Sequence, residues 1–333
     1  MCESMVYCVI LAEYIREMQK RGKGNRFMSR EEVLQAETVQ RVGLIIIFNH
    51  KYNGNLPLLR KLYSSRFSYI RFLSPFYEGS DKDVFRVYEN SYQFQGYVAQ
   101  AFEQYADETI SHYVFIGDDL ILNPLLNETN ILDYLTLADQ ESYFERFTPL
   151  KEMTYWSYNR FMDIERAFKQ EGAIYRGEIP TEEEAYRYAG SYGLRDFDLR
   201  GAKFKYAEPV KQAKYIMKRM LWPLTLRYPL VAGYRDFFVI SASHMEKFKH
   251  LCGVFAAMRL WVEVAVPTAM MFSCGRIKFQ ADIPMLAPKM WEPSAMVREY
   301  EHKCGYRLSR MEENWPERYL YLHPVKLSKW ADE

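Results

Sequence analysis

Tyr113, Val114, Phe115 and Ile116 form an apolar run that a folded chain has to bury, and it leads straight into Gly117, Asp118 and Asp119. A second apolar run follows at 120–122. Carboxylates delivered to the end of a buried strand are costly unless a cation or a hydrogen-bond network compensates them. Paired acids in that position are therefore candidate ligands for a hard cation, because oxygen ligands suit magnesium and manganese. The competing reading is an exposed β-turn, since Gly and Asp favour turns without any function.

The rest of the chain supplies the strands such a site needs. Residues 42–48 are a continuous apolar run, the pattern of a strand covered on both faces of a parallel sheet. A polar loop, 49–55, follows it, and then a helix from about 57 to 63. Strands are expected at 69–73 and 84–88, a helix at 95–105, and next the strand that carries Asp118 and Asp119. This alternation implies right-handed crossovers and a parallel sheet, whose ligands sit beyond the carboxyl ends of the strands. The loop 49–55 and the acid pair both belong to that edge.

Residues 1–40 read as one or two amphipathic helices, broken at Gly22 and Gly24, that form an N-terminal extension. From about 140 to 225 tyrosines and charges mix without strong buried strands. That stretch is expected to be a helical insertion over the cleft, serving as acceptor side or lid. Order returns in a strand at 233–240, a helix at 242–252, helix formers at 253–260, a helix-like stretch at 261–268 holding the lone acid Glu263, a strand at 277–283, and a strand-like tail at 319–326 that ends in His323, Pro324 and Lys326.

At 333 residues the chain can bury a large core, and a hydrophobic content of 49% with 26% charged residues describes an ordinary globular protein. Its 44 Lys and Arg against 43 Asp and Glu argue against a non-specific nucleic-acid binder, which carries a basic excess. Five scattered cysteines show neither metal-ligand spacing nor a disulfide framework, so reduced thiols in a cytoplasmic setting are expected. The apolar stretch 5–12 is too short to span a bilayer and lacks a basic segment before it, so neither a transmembrane segment nor a signal peptide is expected. Tyr, Phe and Trp make up 16% of the chain, enough to serve both as core and as stacking surfaces at a cleft.

Four features occur in a set order: an apolar first strand with its polar loop, an acid pair after a later strand, a lone acid in an apolar segment, and a late His-x-x-Lys. This order resembles the GT-A fold of nucleotide-sugar glycosyltransferases, over roughly 41–333. The resemblance implies an α/β, Rossmann-like, mainly parallel sheet flanked by helices. It also implies a divalent metal cofactor, Mn²⁺ or Mg²⁺, bound with a nucleotide-sugar donor, here expected to be UDP-linked, and a glycan or glycoconjugate acceptor. In that superfamily an Asp-x-Asp motif holds the ion on the sugar diphosphate. The matching window here is Gly117, Asp118, Asp119, which departs at its first acid and makes Asp119 the leading ligand, with Asp118 either beside it or on the ribose. The resemblance further implies His323 in the metal shell, Lys326 on a phosphate, Glu263 as base or acceptor contact, and Asp236 as its reserve. Asn49, His50, Tyr52 and Glu89, each after a neighbouring strand, would line the nucleotide pocket.

Other readings compete. Glu263 can instead pair with Arg259 one helical turn earlier, and His323 can be structural. Gly-Asp-Asp also resembles the metal motif of viral RNA polymerases, but the companion motifs and the basic charge are missing. A sugar-nucleotide pyrophosphorylase shares the architecture and would want a Gly-rich basic loop after the first strand, where only Gly54 and Lys51 occur. A non-catalytic nucleotide-sugar-binding module is the remaining alternative.

Overall fold

In the first strand, β1 (Arg41–Ile47), Ile45 and Ile47 enter one hydrophobic core while Val42, Leu44 and Ile46 enter another. Strand β4 (Ile110–Gly117) divides the same way, with Tyr113 and Phe115 on one face and Val114 and Ile116 on the other. Successive side chains of a strand point to opposite faces, so a sheet covered on both sides demands the unbroken apolar runs seen in the sequence. The computed structural model describes residues 41–331, except 203, 205, 235, 288–294 and 317. The N-terminal helices expected at 1–40, Cys2 and Cys8 lie outside the described residues.

The remaining strands are β2 (Tyr69–Pro75), β3 (Val84–Val87), β5 (Ile121–Leu122), β6 (Glu141–Tyr143), β7 (Thr148–Pro149), β8 (Val231–Ala232), β9 (Phe237–Ser241), β10 (Arg276–Lys278) and β11 (Tyr321–Leu322). A seven-stranded sheet has the order β10-β6-β9-β4-β1-β2-β3, and every strand in it but β9 runs the same way. The chain moves outward from β1 through β2 to β3, then returns to place β4 on the other side of β1. A parallel sheet opens a crevice at such a reversal, beyond the carboxyl ends of the two central strands. The architecture is α/β with a mostly parallel central sheet, compatible with a Rossmann-like fold.

Helices cover both faces. Leu56, Leu59 and Tyr63 of α1 (Leu56–Tyr63), Ile131 and Leu132 of α3 (Ile131–Tyr134), and Val297, Tyr300 and Cys304 of α9 (Ala295–Cys304) pack into one core. The other core takes α2 (Phe94–Tyr105), α4 (Tyr158–Lys169), α5 (Glu182–Ser191), α7 (Met245–Ala257) and the wholly buried α8 (Val262–Ser273). Phe115 stacks on Phe238 across β4 and β9, ring centroids 4.7 Å apart, a geometry that adds to the burial of both rings.

Several expectations are corrected here. The stretch 140–225 is mainly helical, as expected, but it also includes β6, which joins the central sheet, and Phe161, Phe168, Ala185 and Phe197 enter the core that takes α2, α7 and α8. Its polar surface hides this. The strand expected at 233–240 starts only at Phe237, and the one expected at 277–283 stops at Lys278. There the Phe279 N–H is taken by the Asp282 carboxylate at 2.7 Å, which turns the chain. The segments 242–252 and 253–260 contribute to one helix, α7, after which Arg259 adopts a left-handed conformation, φ 57°. Of the tail only Tyr321 and Leu322 pair as a strand.

Candidate functional site

Ile47 of β1 is in register with Gly117 of β4, and the Asp118 N–H donates to the Ile47 carbonyl at 2.9 Å, so both strands stop at the same edge. Leu120 N–H closes a turn onto the Gly117 carbonyl at 3.1 Å, leaving Asp118 and Asp119 at its corners. The acid pair does sit in a turn, but not an ordinary exposed one. Asp118 is 6% exposed. Its carboxylate accepts from the Asn49 N–H at 2.9 Å and from Asn55 Nδ2 at 3.5 Å. Burial, and then the charge of Asp119, push its pKa up to about 7.

Asp119 turns the other way. Its Oδ1 accepts from Asn49 Nδ2 at 3.1 Å and lies 3.3 Å from His323 Nε2. The same imidazole nitrogen is 3.9 Å from Asp236 Oδ2, and His323 Nδ1 is hydrogen-bonded to the Tyr234 hydroxyl. What brings His323 here is the short antiparallel pair β5–β11 directly after Asp119. On either side of that pair, Asn123 N–H donates to the Leu320 carbonyl at 2.9 Å and Val325 N–H to the Asp119 carbonyl at 2.7 Å. Asp236 arrives on the loop entering β9, where its carbonyl takes the Gly117 N–H at 3.0 Å.

Gly117 is the residue around which these acids close. A Cβ at this position would lie 3.0 Å from Asp119 Oδ1 and 3.8 Å from both Cβ and Oδ1 of Asp236. A side chain at 117 would therefore press on the Asp119 carboxylate and lie in ordinary contact with Asp236.

Asn49, His50, Tyr52, Asn55, Asp118, Asp119, Tyr234, Asp236, His323 and Lys326 all line one cavity of about 500 Å³, which Val325, Leu327 and Ser328 complete. No family model matches this chain, and no curated protein does. The site must therefore be read from its own chemistry.

Two expected site residues are elsewhere. Glu89 follows β3 as expected, but its carboxylate pairs with Arg259 at 2.8 Å and it does not line the cavity. That pairing also takes the partner proposed for Glu263. Glu263 is 3% exposed in the first turn of α8, and it too is absent from the cavity wall. The Gly233 N–H donates to the Glu263 carbonyl at 3.1 Å, and the Glu263 charge raises the pKa of Tyr155 after burial has done so. Tyr155 lines a second recess of about 470 Å³, with Tyr92, Trp156, Ser157, Arg160 and Trp261.

Sequence reasoning assigned no role to Tyr234 or Asn55. Tyr234 lay inside the segment singled out for Asp236, and Asn55 closed the loop after the first strand, so the usable signal was position at the functional edge.

Among the described residues no group of three or more His, Cys, Asp and Glu is placed to hold a metal ion. Two ligands held by one ion at about 2.1 Å are separated by ~3 Å when they meet at right angles. The Asp119–His323 separation of 3.3 Å fits that, while Asp236 at 3.9 Å is wider. The Tyr234 contact fixes the His323 ring from its far side, the support an imidazole ligand needs. Carboxylate and imidazole are both donors that a divalent cation accepts. Among the described residues no helix is long and apolar enough to cross a membrane.

Proposed function

We propose that the cavity binds a nucleoside-diphosphate sugar with a divalent cation, and that the protein is a GT-A-like glycosyltransferase acting on a hydroxyl acceptor. The observation that carries the reading is the convergence of Asp119, Asp236 and His323 over Gly117, at the crevice beyond β1 and β4.

In this reading Asp119 and His323 would hold the ion, with Asp236 beside them on the loop entering β9. A cation held by these residues would supply positive charge toward a diphosphate leaving group. Lys326 lines the same cavity and adds a point charge for a phosphate oxygen. The Asn49 N–H and the Asn55 amide hold the Asp118 carboxylate in place. Asn55 Oδ1 is buried without a hydrogen-bond partner, a vacancy that a ribose hydroxyl or a base N–H can fill. Glu263 is assigned no proton transfer, and its carbonyl contact with Gly233 makes it a support for the Tyr234 loop.

The deciding experiment is a thermal-shift series with UDP, GDP, CMP and their sugars, each with and without Mn²⁺. A ligand that binds the folded state raises the melting temperature by mass action. The expected result is the largest shift for a UDP-sugar with the metal. No shift from any nucleotide, with or without metal, would overturn the reading.

A further inference from the structure

Helix α6 (Pro209–Leu221) carries its apolar stripe on the wrong side for a core. Val210, Met217 and Leu221 recur at helical spacing, with Ile216 and Met220 beside them, and these five are between 50% and 78% exposed. Trp222, directly after the helix, is 56% exposed as well. The opposite face is the one bedded on the protein. Tyr215 is buried against Tyr158, Phe204 and Tyr206, ring centroids 5.2 to 5.7 Å away, and Arg219 donates to the Tyr215 hydroxyl at 2.7 Å and to two backbone carbonyls.

Lys211, Lys214 and Lys218 all belong to this helix, and no Asp or Glu occurs from 209 to 230. Glu208, directly before the helix, pairs with Lys211 at 2.5 Å, and Lys218 Nζ donates to Asn159 Oδ1 at 2.6 Å. By helical angle Lys214, Lys218 and Lys211 border the exposed stripe along one flank. Tyr158 donates its hydroxyl proton to the Trp222 carbonyl at 2.8 Å, which ties down the end of the helix. The stripe is therefore presented by a fixed element.

We propose that α6 is a docking surface for an anionic lipid bilayer, lying in the interface with its stripe in the acyl boundary and its lysines among the headgroups. An amphipathic helix with basic residues beside bulky apolar ones and an aromatic at its end has the composition that binds this way. A second copy of the chain fits less well. Thirteen residues give a helix about 20 Å long, whose exposed half falls well short of the ~800 Å² that each partner of a stable dimer buries. Two-fold pairing would also bring like charges together. The net charge of +1 means that attraction to a membrane depends on this local cluster. The assignment is independent of what the cavity binds.

The test is flotation of the full chain with vesicles of phosphatidylcholine alone and of phosphatidylcholine mixed with phosphatidylglycerol. The anionic vesicles should retain the protein at least about ten-fold better, with the advantage lost at high salt. The combined variant Met217→Ser, Met220→Ser and Leu221→Ser should abolish retention, and Lys211→Glu with Lys214→Glu should reduce it to the level of neutral vesicles. All five side chains are exposed, so both variants should melt with the wild type. Failure to float with anionic vesicles overturns the assignment, as does retention that neither variant changes. Self-association abolished by the serine variant, without vesicle binding, would give the face to a second copy.

Discussion

His323 Nε2 lies 3.3 Å from Asp119 Oδ1, although most of the chain separates the two residues. The separation is bridged by backbone hydrogen bonds on both sides of β11, so the imidazole reaches the acid pair through sheet geometry. A long-range contact of this kind costs loop-closure entropy, which the buried Leu320, Tyr321 and Leu322 help to offset.

Asp119→Ala and His323→Ala should each remove the Mn²⁺-dependent part of the nucleotide thermal shift. If the two side chains hold one ion, the double variant should be no worse than either single one, because coupled sites are non-additive. Additive losses would separate their roles, and a full metal-dependent shift in either variant would remove that residue from the ion site.

Gly117→Ala tests the cradle directly. Gly117 has an ordinary strand backbone, so alanine brings no conformational strain there, but its Cβ comes within 3.0 Å of Asp119 Oδ1. The variant should fold, with metal-dependent nucleotide binding weakened about ten-fold or more by displacement of that ligand. Titration calorimetry with Mn²⁺ and UDP reads this out, and unchanged affinity would mean that Gly117 leaves no room that matters.

Tyr234→Phe removes the contact at His323 Nδ1 while keeping the ring. For Nε2 to face a cation, Nδ1 must carry the proton and donate it to the Tyr234 oxygen. Loss of such a partner typically lowers metal affinity by about 10- to 100-fold. The nucleotide shift measured without metal should stay the same.

The apolar runs at 42–48 and 113–116 were readable because burial on both faces leaves no alternation to misread. The edge on which Asn49, Asp118 and Asp119 meet followed from strand order alone. Glu263 and Glu89 lie off the cavity wall. Each follows an apolar segment, but Glu89 is drawn to Arg259 across the fold, and no local pattern announces that pair. The sheet strand within 140–225 was not legible because β6 is only three residues long, too short for a period. Local chemistry did survive there, since Thr181 and Glu184 close a reciprocal cap at the start of α5.

His112 gives the protein a pH dependence separate from the site. Burial lowers its pKa from the usual 6.5, with Nε2 beside the Glu141 carbonyl and Nδ1 beside the Ser111 hydroxyl. The folded state therefore binds its proton more weakly than the unfolded state does. The stability tied to neutral His112 is fully present above pH 6.5 and is lost as the pH falls below it. The melting temperature should drop more between pH 7 and pH 5 for wild type than for His112→Gln, and parallel curves would show that this histidine is not the group responsible.

Asn123 is the residue whose loss should connect stability to the site. Its side chain is buried, Nδ2 donates to the Tyr319 carbonyl at 2.9 Å, and Oδ1 accepts the Leu125 N–H at 3.0 Å. Asn123→Ala strands the Leu125 N–H, at a cost of about 1–3 kcal/mol if it stays dry, and leaves the Tyr319 carbonyl with the Trp315 Nε1 donor at 3.0 Å alone. Because the Tyr319 end of that bond leads into β11, the segment holding His323 should loosen as well. Urea unfolding should show the stability loss, and Mn²⁺ affinity should fall although Asn123 touches no part of the cavity. A destabilised variant with full Mn²⁺ affinity would mean that β5–β11 pairing and the Val325–Asp119 bond position His323 without it.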